Sequence, residues 1–256
     1  MSPAPRPPAV RLDRLLANLG YGSRREIHAL VRKGEVVLDG RSVSDAGARI
    51  GLTADMTERM TIQGVPVDPP APLVLMIHKP AGVVCSHREP GRSVYELLPS
   101  RWRSRIPALS SVGRLDLDTT GLLLITDDGD FLHRVISPKS HAPKRYITRL
   151  AEPLVGTESE VFARGDLVLE GEDRPLAPAR LEVLDPFTAR LTLTEGRYHQ
   201  VKRMFAAVGN HVTALHRDRI GALDLPPDLT PGAWRRLSPV QCAAVLLEAD
   251  DTPSLA

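Results

Sequence analysis

The feature that most constrains this chain is a proline-rich stretch, Val65-Pro66-Val67-Asp68-Pro69-Pro70-Ala71-Pro72. Four prolines in eight residues remove four backbone donors and fix four φ angles, so no continuous helix or central strand can run through it. The chain differs on its two sides. Basic, helix-patterned segments precede it, and apolar strand-like runs follow. The stretch reads as a domain boundary, with a stiff loop inside one domain as the alternative. At 256 residues the chain suits one large or two unequal domains. The division expected is an extended tail over 1–9, a small module over 10–60, a linker over 61–72 and a larger domain over 73–248, with the last residues, 249–256, frayed.

In the small module Leu12, Leu15, Leu16 and Leu19 recur at helical spacing until Gly20 and Gly22 end the pattern. Ser23-Arg24-Arg25-Glu26 reads as a capping box that opens a second helix with Ile27, Leu30 and Val31 as its apolar stripe and Gly34 as its end. Glu35 to Asp39 reads as a strand closed by the turn Asp39-Gly40. The first 50 residues hold nine Lys/Arg against five Asp/Glu, a surplus of +4 in a chain whose formal net charge is +2. Such asymmetry points to a polyanion partner. Arg11, Arg14, Arg24, Arg25, Arg32 and Lys33 gather at the helix starts and ends. That placement suits phosphate contacts, although a solvated charged face would show the same residues.

The larger region reads as strands, turns and few helices. Leu73 to Ile77 is a short apolar run. Leu122 to Thr126 precedes the turn Asp128-Gly129, Lys144-Arg145-Tyr146 belongs to a strand with a basic flank, and Ala189 to Leu193 alternates. Tyr198 to Val208 reads as a helix stopped by Gly209. No regular β-α-β alternation and no repeat is present. The expected fold class is α+β: a small N-terminal α/β module and a larger, mixed domain with a mainly antiparallel sheet.

Several classes of function are disfavoured. Cys85 and Cys242 are the only cysteines and lie far apart, so neither a disulfide framework nor a zinc site is expected. The proline-rich start has no apolar segment of a signal peptide, and no run approaches the roughly 20 apolar residues of a membrane span. A soluble, cytoplasmic, monomeric protein is expected. The sequence lacks G-x-G-x-x-G, G-x-x-x-x-G-K-[ST], H-E-x-x-H and G-x-S-x-G, which argues against nucleotide-driven, dinucleotide-linked and zincin chemistry. His199, His211 and His216 match no common zinc spacing. Neither a metal nor a cofactor is expected.

The strongest positive feature is Gly113-Arg114-Leu115-Asp116-Leu117-Asp118-Thr119-Thr120-Gly121. Carboxylates at i and i+2 point the same way in an extended segment. Taken alone, such a pair is more often a solvated turn, and it is also compatible with Mg²⁺. The run Glu195-Gly196-Arg197-Tyr198-His199-Gln200-Val201-Lys202-Arg203-Met204-Phe205 opens a helix with Arg197, His199, Lys202 and Arg203 crowded together. By itself it is a phosphate-binding helix start or a solvated face.

Taken in order, these segments carry a resemblance. RLDRLLANLGYGSRREIHALVRKGEVVLDG, within about residues 10–58, resembles the S4 RNA-binding domain. GRLDLDTTGLLLITDDG, SPKSHAPKRY, EGRYHQVKRMFAAVGNHV and LHRDRIGALDL, together with HKPAGVVCS at 78–86, resemble the pseudouridine synthase family, in its branch that modifies small-subunit ribosomal RNA. The resemblance covers nearly all of the chain after residue 10. It implies isomerisation of a uridine in 16S rRNA, free or in a small-subunit assembly intermediate, with no nucleotide cofactor and no membrane. It implies Asp116 as nucleophile, Lys202 as the basic residue paired with it, and Tyr146 as the residue stacked on the uracil. Ile220 would pack on the base, and Arg114, Arg197, His199, Gln200 and Arg203 would bind substrate. Asp118 would be structural. Large-subunit rRNA or another RNA as substrate, and a non-catalytic RNA-binding assembly protein, are the competing readings.

Overall fold

The computed structural model describes residues 9–53, 55–87, 89–137 and 142–247. The expected tail, apart from Ala9, and the expected frayed end lie outside them. The chain forms two compact units: residues up to Leu73 together with Leu98–Ser110, and Val74–Leu97 together with residues from Ser111 onward.

The first unit opens with strand β1 (Ala9–Arg11), which runs into helix α1 (Leu12–Asn18) and then α2 (Arg24–Arg32). The capping box forms as the sequence indicates: the Ser23 side chain accepts from the Glu26 amide, and Glu26 accepts from the Ser23 amide at 2.6 Å. The strands β2 (Val36–Leu38) and β3 (Arg41–Ser42) make a hairpin whose turn residues Asp39 and Gly40 both sit at positive φ, 50° and 75°. That pairing of angles matches the right-handed twist of a two-residue hairpin. Further on come β4 (Arg49–Gly51), which pairs with β1, the short helix α3 (Met56–Arg59), β5 (Met60–Ile62) and β6 (Val65–Pro66). One sheet has the order β3-β2-β5-β6. Leu12, Leu15, Leu16, Leu19, Ile27 and Val31, the residues of the two helical stripes, form its core with Val36, Met60 and Val67.

Two features depart from the sequence reading. Residues 61–66 belong to this sheet rather than to a linker. Pro66 is tolerated because β6 is an edge strand, where a missing amide donor leaves no ladder bond unmade. Residues 98–110 also join this unit. The Arg101 guanidinium lies 4.3 Å from the Tyr21 ring centroid and donates to Asp68 at 2.8 Å, and the Ile106 amide donates to Asn18 O.

The second unit is built on a nine-stranded sheet. In chain order its strands are β7 (Val74–Lys79), β8 (Ser110–Ser111), β9 (Thr120–Thr126), β10 (Lys144–Leu150), β11 (Arg180–Asp185), β12 (Thr188–Leu193), β13 (Val212–Ile220), β14 (Leu223–Asp224) and β15 (Trp234–Arg236). The spatial order is β11-β12-β10-β13-β9-β7-β15, with β14 on β13 and β8 on β9. Every pairing along that path is antiparallel except β13 with β9, which agrees with the mainly antiparallel sheet expected. β7 and β9 are buried along almost their whole lengths, as continuous apolar runs in a central position must be. Helices α4 (Gly129–Ile136), α5 (Glu158–Arg164), α6 (Gln200–Ala207) and α7 (Pro239–Ala244) complete the unit. Phe162 of α5 and Val201, Met204 and Phe205 of α6 pack with Leu191 and Leu193 of β12. Phe131 and Val135 of α4 pack with Met76, Leu122 and Leu124.

The registers fix one row across the middle of this sheet: Lys79 of β7, Gly121 of β9, Arg217 of β13, Tyr146 of β10 and Leu191 of β12. Gly121 is required there. Its φ is 109°, and a Cβ would lie 2.1 Å from Arg217 O.

Candidate active site

The loop before β9 carries both acids of the sequence motif. It is not extended: the Thr119 amide donates back to Asp116 O at 3.1 Å, forming a turn. The segment His78–Ser86 braces it from below. Lys79 is fully buried and donates to Thr119 O at 2.8 Å, Pro80 O at 3.1 Å and Leu117 O at 3.3 Å. Burial pushes its ammonium below the ordinary lysine value. The Cys85 sulfur lies 3.4 Å from both the amide and the carbonyl of Leu115. Sequence reading placed this segment in the family without giving Lys79 or Cys85 a task, because their partners are 30 to 40 residues away.

Helix α6 meets the loop at its first turn. It begins at Gln200, two residues later than the pattern indicates, because His199 adopts the left-handed conformation at φ 49°. Lys202 Nζ then reaches both acids, 3.5 Å from Asp116 Oδ2 and 2.6 Å from Asp118 Oδ1. His199 Nε2 lies 3.4 Å from Asp116 Oδ1. The Asp116 side chain is 27% exposed and that of Asp118 69%, so the expected nucleophile is half-buried and its neighbour faces solvent. The hydrogen bond from Lys202 lowers the Asp118 carboxyl below its ordinary range. For Lys202, burial opposes the charge, but the hydrogen bond and charge of Asp118, reinforced by Asp116, prevail and raise the ammonium.

The other sequence-derived residues separate into groups. Arg197 is tied to Glu172, to Glu195 at 3.2 Å and to Arg174 O at 2.8 Å. Arg203 donates to Glu172 at 2.6 Å and to Glu170 O at 2.6 Å. Gln200 is buried and exchanges hydrogen bonds with Glu195 and the Arg197 amide, both at 2.8 Å. Arg197 and Arg203 hold the 170–175 loop against the start of α6 through Glu172 and the loop carbonyls, while Gln200 fixes Glu195 and the Arg197 backbone. Ile220 is 2% exposed and sits in the core with Val74, Met76 and Leu122, so it is a packing residue rather than an open face for a base. Arg114 is exposed and pairs with Glu89. Tyr146 is half-buried against the α6 side of the sheet. No hydrogen bond joins it to Asp116 among the described residues. Its hydroxyl instead meets Arg217 Nη1 at 3.4 Å. A cavity of about 150 Å³ lies on the opposite face of β10, lined by Arg145, Arg180, Arg190 and Arg219 among others. Arg145, Arg190 and Arg219 are paired with Asp218, Glu182 and Asp224 respectively. No group of three or more His, Cys, Asp or Glu side chains among the described residues is arranged to hold a metal, and no described helix is long and apolar enough to cross a membrane.

In the first unit Asp13 is fully buried, yet it receives Arg11 at 3.0 Å and Arg24 at 2.7 Å, with His28 Nε2 at 3.2 Å. The hydrogen bond from Arg11, then those from Arg24 and His28, outweigh burial and hold its carboxyl far below the ordinary range. Arg11 and Arg24 are thus partly structural. Arg14, Arg25, Arg32 and Lys33 are exposed and take no part in the ion pairs of the described residues.

Comparison with known proteins agrees with these features. Residues 10–55 match the S4 domain family, and residues 73–207 match the family described as RNA pseudouridylate synthase. The chain is 42% identical over 241 residues to the ribosomal small subunit pseudouridine synthase A of Escherichia coli K12, covering 93% of this chain and all of that one. It is 43% identical to the protein of the same name from Vibrio cholerae, over 92% of this chain and 99% of that one. A crystal structure of a pseudouridylate synthase superposes with a TM-score of 0.65 at 36% identity, covering 92% and 99% of the two chains. The class defined is an RNA-modifying isomerase with a linked S4 module. Within that class, the chain belongs to the RNA pseudouridine synthase family.

Proposed function

We propose that this protein converts one uridine of small-subunit (16S) ribosomal RNA to pseudouridine, with Asp116 as the nucleophile. The observation that carries the reading is the Asp116 carboxylate placed 3.5 Å from Lys202, on the first turn of α6, and 3.4 Å from His199, just before that helix, in a chain whose full-length relatives bear the small-subunit name. The reaction breaks the C1′–N1 bond, turns the uracil and joins C1′ to C5. The C5 proton is lost and N1 gains one, so no net oxidation occurs. A carboxylate is a weak nucleophile in water, and the lysine 3.5 Å away orients it. Tyr146, at the centre of the sheet, stacks on the uracil. The base reaches it by leaving its own stack, at a cost of a few kcal/mol. Arg14, Arg25, Arg32 and Lys33 supply the phosphate contacts of the S4 module.

Mapping pseudouridine in all rRNA from a strain lacking the gene tests the reading. One small-subunit position should revert to uridine. The wild-type gene should restore it, and Asp116→Asn should not. Loss of a large-subunit position instead would reassign the substrate, and restoration by Asp116→Asn would remove the nucleophile.

A further inference from the structure

Arg217 is 4% exposed and forms no ion pair among the described residues. A buried charge without a counter-ion is costly, so its retention calls for a reason. Its Nε donates to Leu122 O at 2.8 Å, and Nη1 lies 3.4 Å from the Tyr146 hydroxyl. Nη2 is buried and has no hydrogen-bond partner among the described residues. The guanidinium carbon is 5.9 Å from the Tyr146 ring centroid.

Its placement is as specific as its chemistry. In the central row of the sheet Arg217 stands between Gly121, on the strand that continues the Asp116 loop, and Tyr146. Gly121 contributes no side chain, and there is no room for one, because a Cβ there would lie 2.1 Å from Arg217 O. The Nε bond to Leu122 O and the Nη1 contact with the Tyr146 hydroxyl hold the guanidinium in place, leaving Nη2 unsatisfied among the described residues. Lys144, on the Tyr146 face of β10, adds a second cation without an ion pair among the described residues. Burial first, then the charge of Arg217, lowers it to about 8. Two cations without counter-ions among the described residues, beside a half-buried tyrosine, form a place for an electron-rich group that those residues do not supply.

We propose that Arg217 is a further catalytic residue: its unpartnered Nη2 donates to a carbonyl oxygen of the target uracil and stabilises the charge the ring acquires while detached from the sugar. This rests on the proposed reading of Asp116 and Tyr146. When C1′–N1 breaks, its electron pair stays with the uracil and spreads from N1 onto O2 and O4. When C1′–C5 forms, the C5 proton leaves and N1 takes one up. A fixed donor aimed at an oxygen whose charge rises only in between lowers the barrier without reorganisation.

The test is single-turnover isomerisation by the full-length protein on an rRNA fragment carrying the mapped target as uridine, 2-thiouridine or 4-thiouridine. RNA affinity and melting temperature are measured alongside. Arg217→Met should lose about 10²- to 10³-fold in rate while RNA affinity stays within about 3-fold, and Arg217→Lys should recover part of the loss. One thio-substitution should slow the wild type about 10-fold and add nothing further in Arg217→Met. Undiminished turnover in Arg217→Met, or equal thio-sensitivity in both proteins, would show that the guanidinium only ties β13 to β9. If neither variant folds, indifference of the wild type to both thio-uridines overturns the proposal equally. The reading it rests on fails separately, by turnover in Asp116→Asn on the same fragment. A wild type inactive on every rRNA would withdraw both.

Discussion

Lys202 Nζ lies 2.6 Å from Asp118 Oδ1, the shortest contact its ammonium makes. Asp116 is farther, at 3.5 Å, so the lysine is shared between an exposed acid and a half-buried one and leans to the exposed one. Charge-assisted bonds of that length are about twice as strong as neutral ones, but the partner here is largely in water, which screens it.

The two acids should therefore respond differently to removal of charge. Asp118→Asn frees Lys202 to move toward Asp116 and should lower the single-turnover rate by less than about 10-fold. Asp116→Asn removes the proposed nucleophile and should lower it by more than about 10³-fold, the scale of losing a covalent catalyst. RNA affinity should be nearly unchanged in both. Equal losses would mean that the carboxylates act as a pair.

Lys79 should act on rate through the loop it braces. Lys79→Met deprives the Leu117 and Thr119 carbonyls of a shared donor and frees the turn that carries Asp116. A shift of about 1 Å in a reacting group costs roughly 10²-fold, so that loss is expected in single turnover, along with a lower melting temperature. Unchanged rates would show that the turn holds itself.

Much of this was legible in the sequence. The Ser23–Glu26 capping box, the leucine stripe of α1, the alternation of β12 and the Asp39-Gly40 turn are local patterns, and each element forms where its pattern lies. Asp116 and Lys202 come together across 86 residues, a meeting that the family resemblance implied and composition did not. What escaped was long-range or exceptional. Pro66 breaks a central strand but not an edge one. Arg217 reads as one more basic residue of β13 until its register beside Gly121 and Tyr146 is known. Arg197 and Arg203 resemble phosphate ligands because their acidic partners lie 25 and 31 residues upstream. His199 delays α6 by a backbone angle that no pattern encodes.

Acid should weaken the first unit through Asp13. Its folded pKa is depressed, so its stabilisation is fully present above the unfolded value of about 3.9 and is lost as the pH falls through the folded one. Thermal melts from about pH 5 down to about pH 1 should show the wild type losing stability below about 3.9, where the unfolded chain binds a proton that the folded carboxyl still refuses. Asp13→Asn, with no charge for Arg11 and Arg24, should melt lower at pH 7 and change less on acidification. Parallel curves would show that the buried carboxylate does not set the acid response.

The exposed cations of the same unit should govern RNA affinity and its salt dependence instead. Arg14, Arg25, Arg32 and Lys33 are exposed and outside the ion pairs of the described residues, whereas Arg11 and Arg24 are partly spent on Asp13. A phosphate contact releases counter-ions, and each one lost should flatten the slope of log affinity against log salt by about 0.7 to 0.9. Replacing the four by alanine should therefore weaken binding at low salt, flatten that slope by about 3 if all four contacts are made, and leave the melting temperature within a few degrees. Arg24→Ala should lower the melting temperature more than it changes the slope, because it strips a hydrogen bond from a buried carboxylate. If the fourfold variant binds rRNA with the wild-type slope, the phosphate contacts lie elsewhere on the chain.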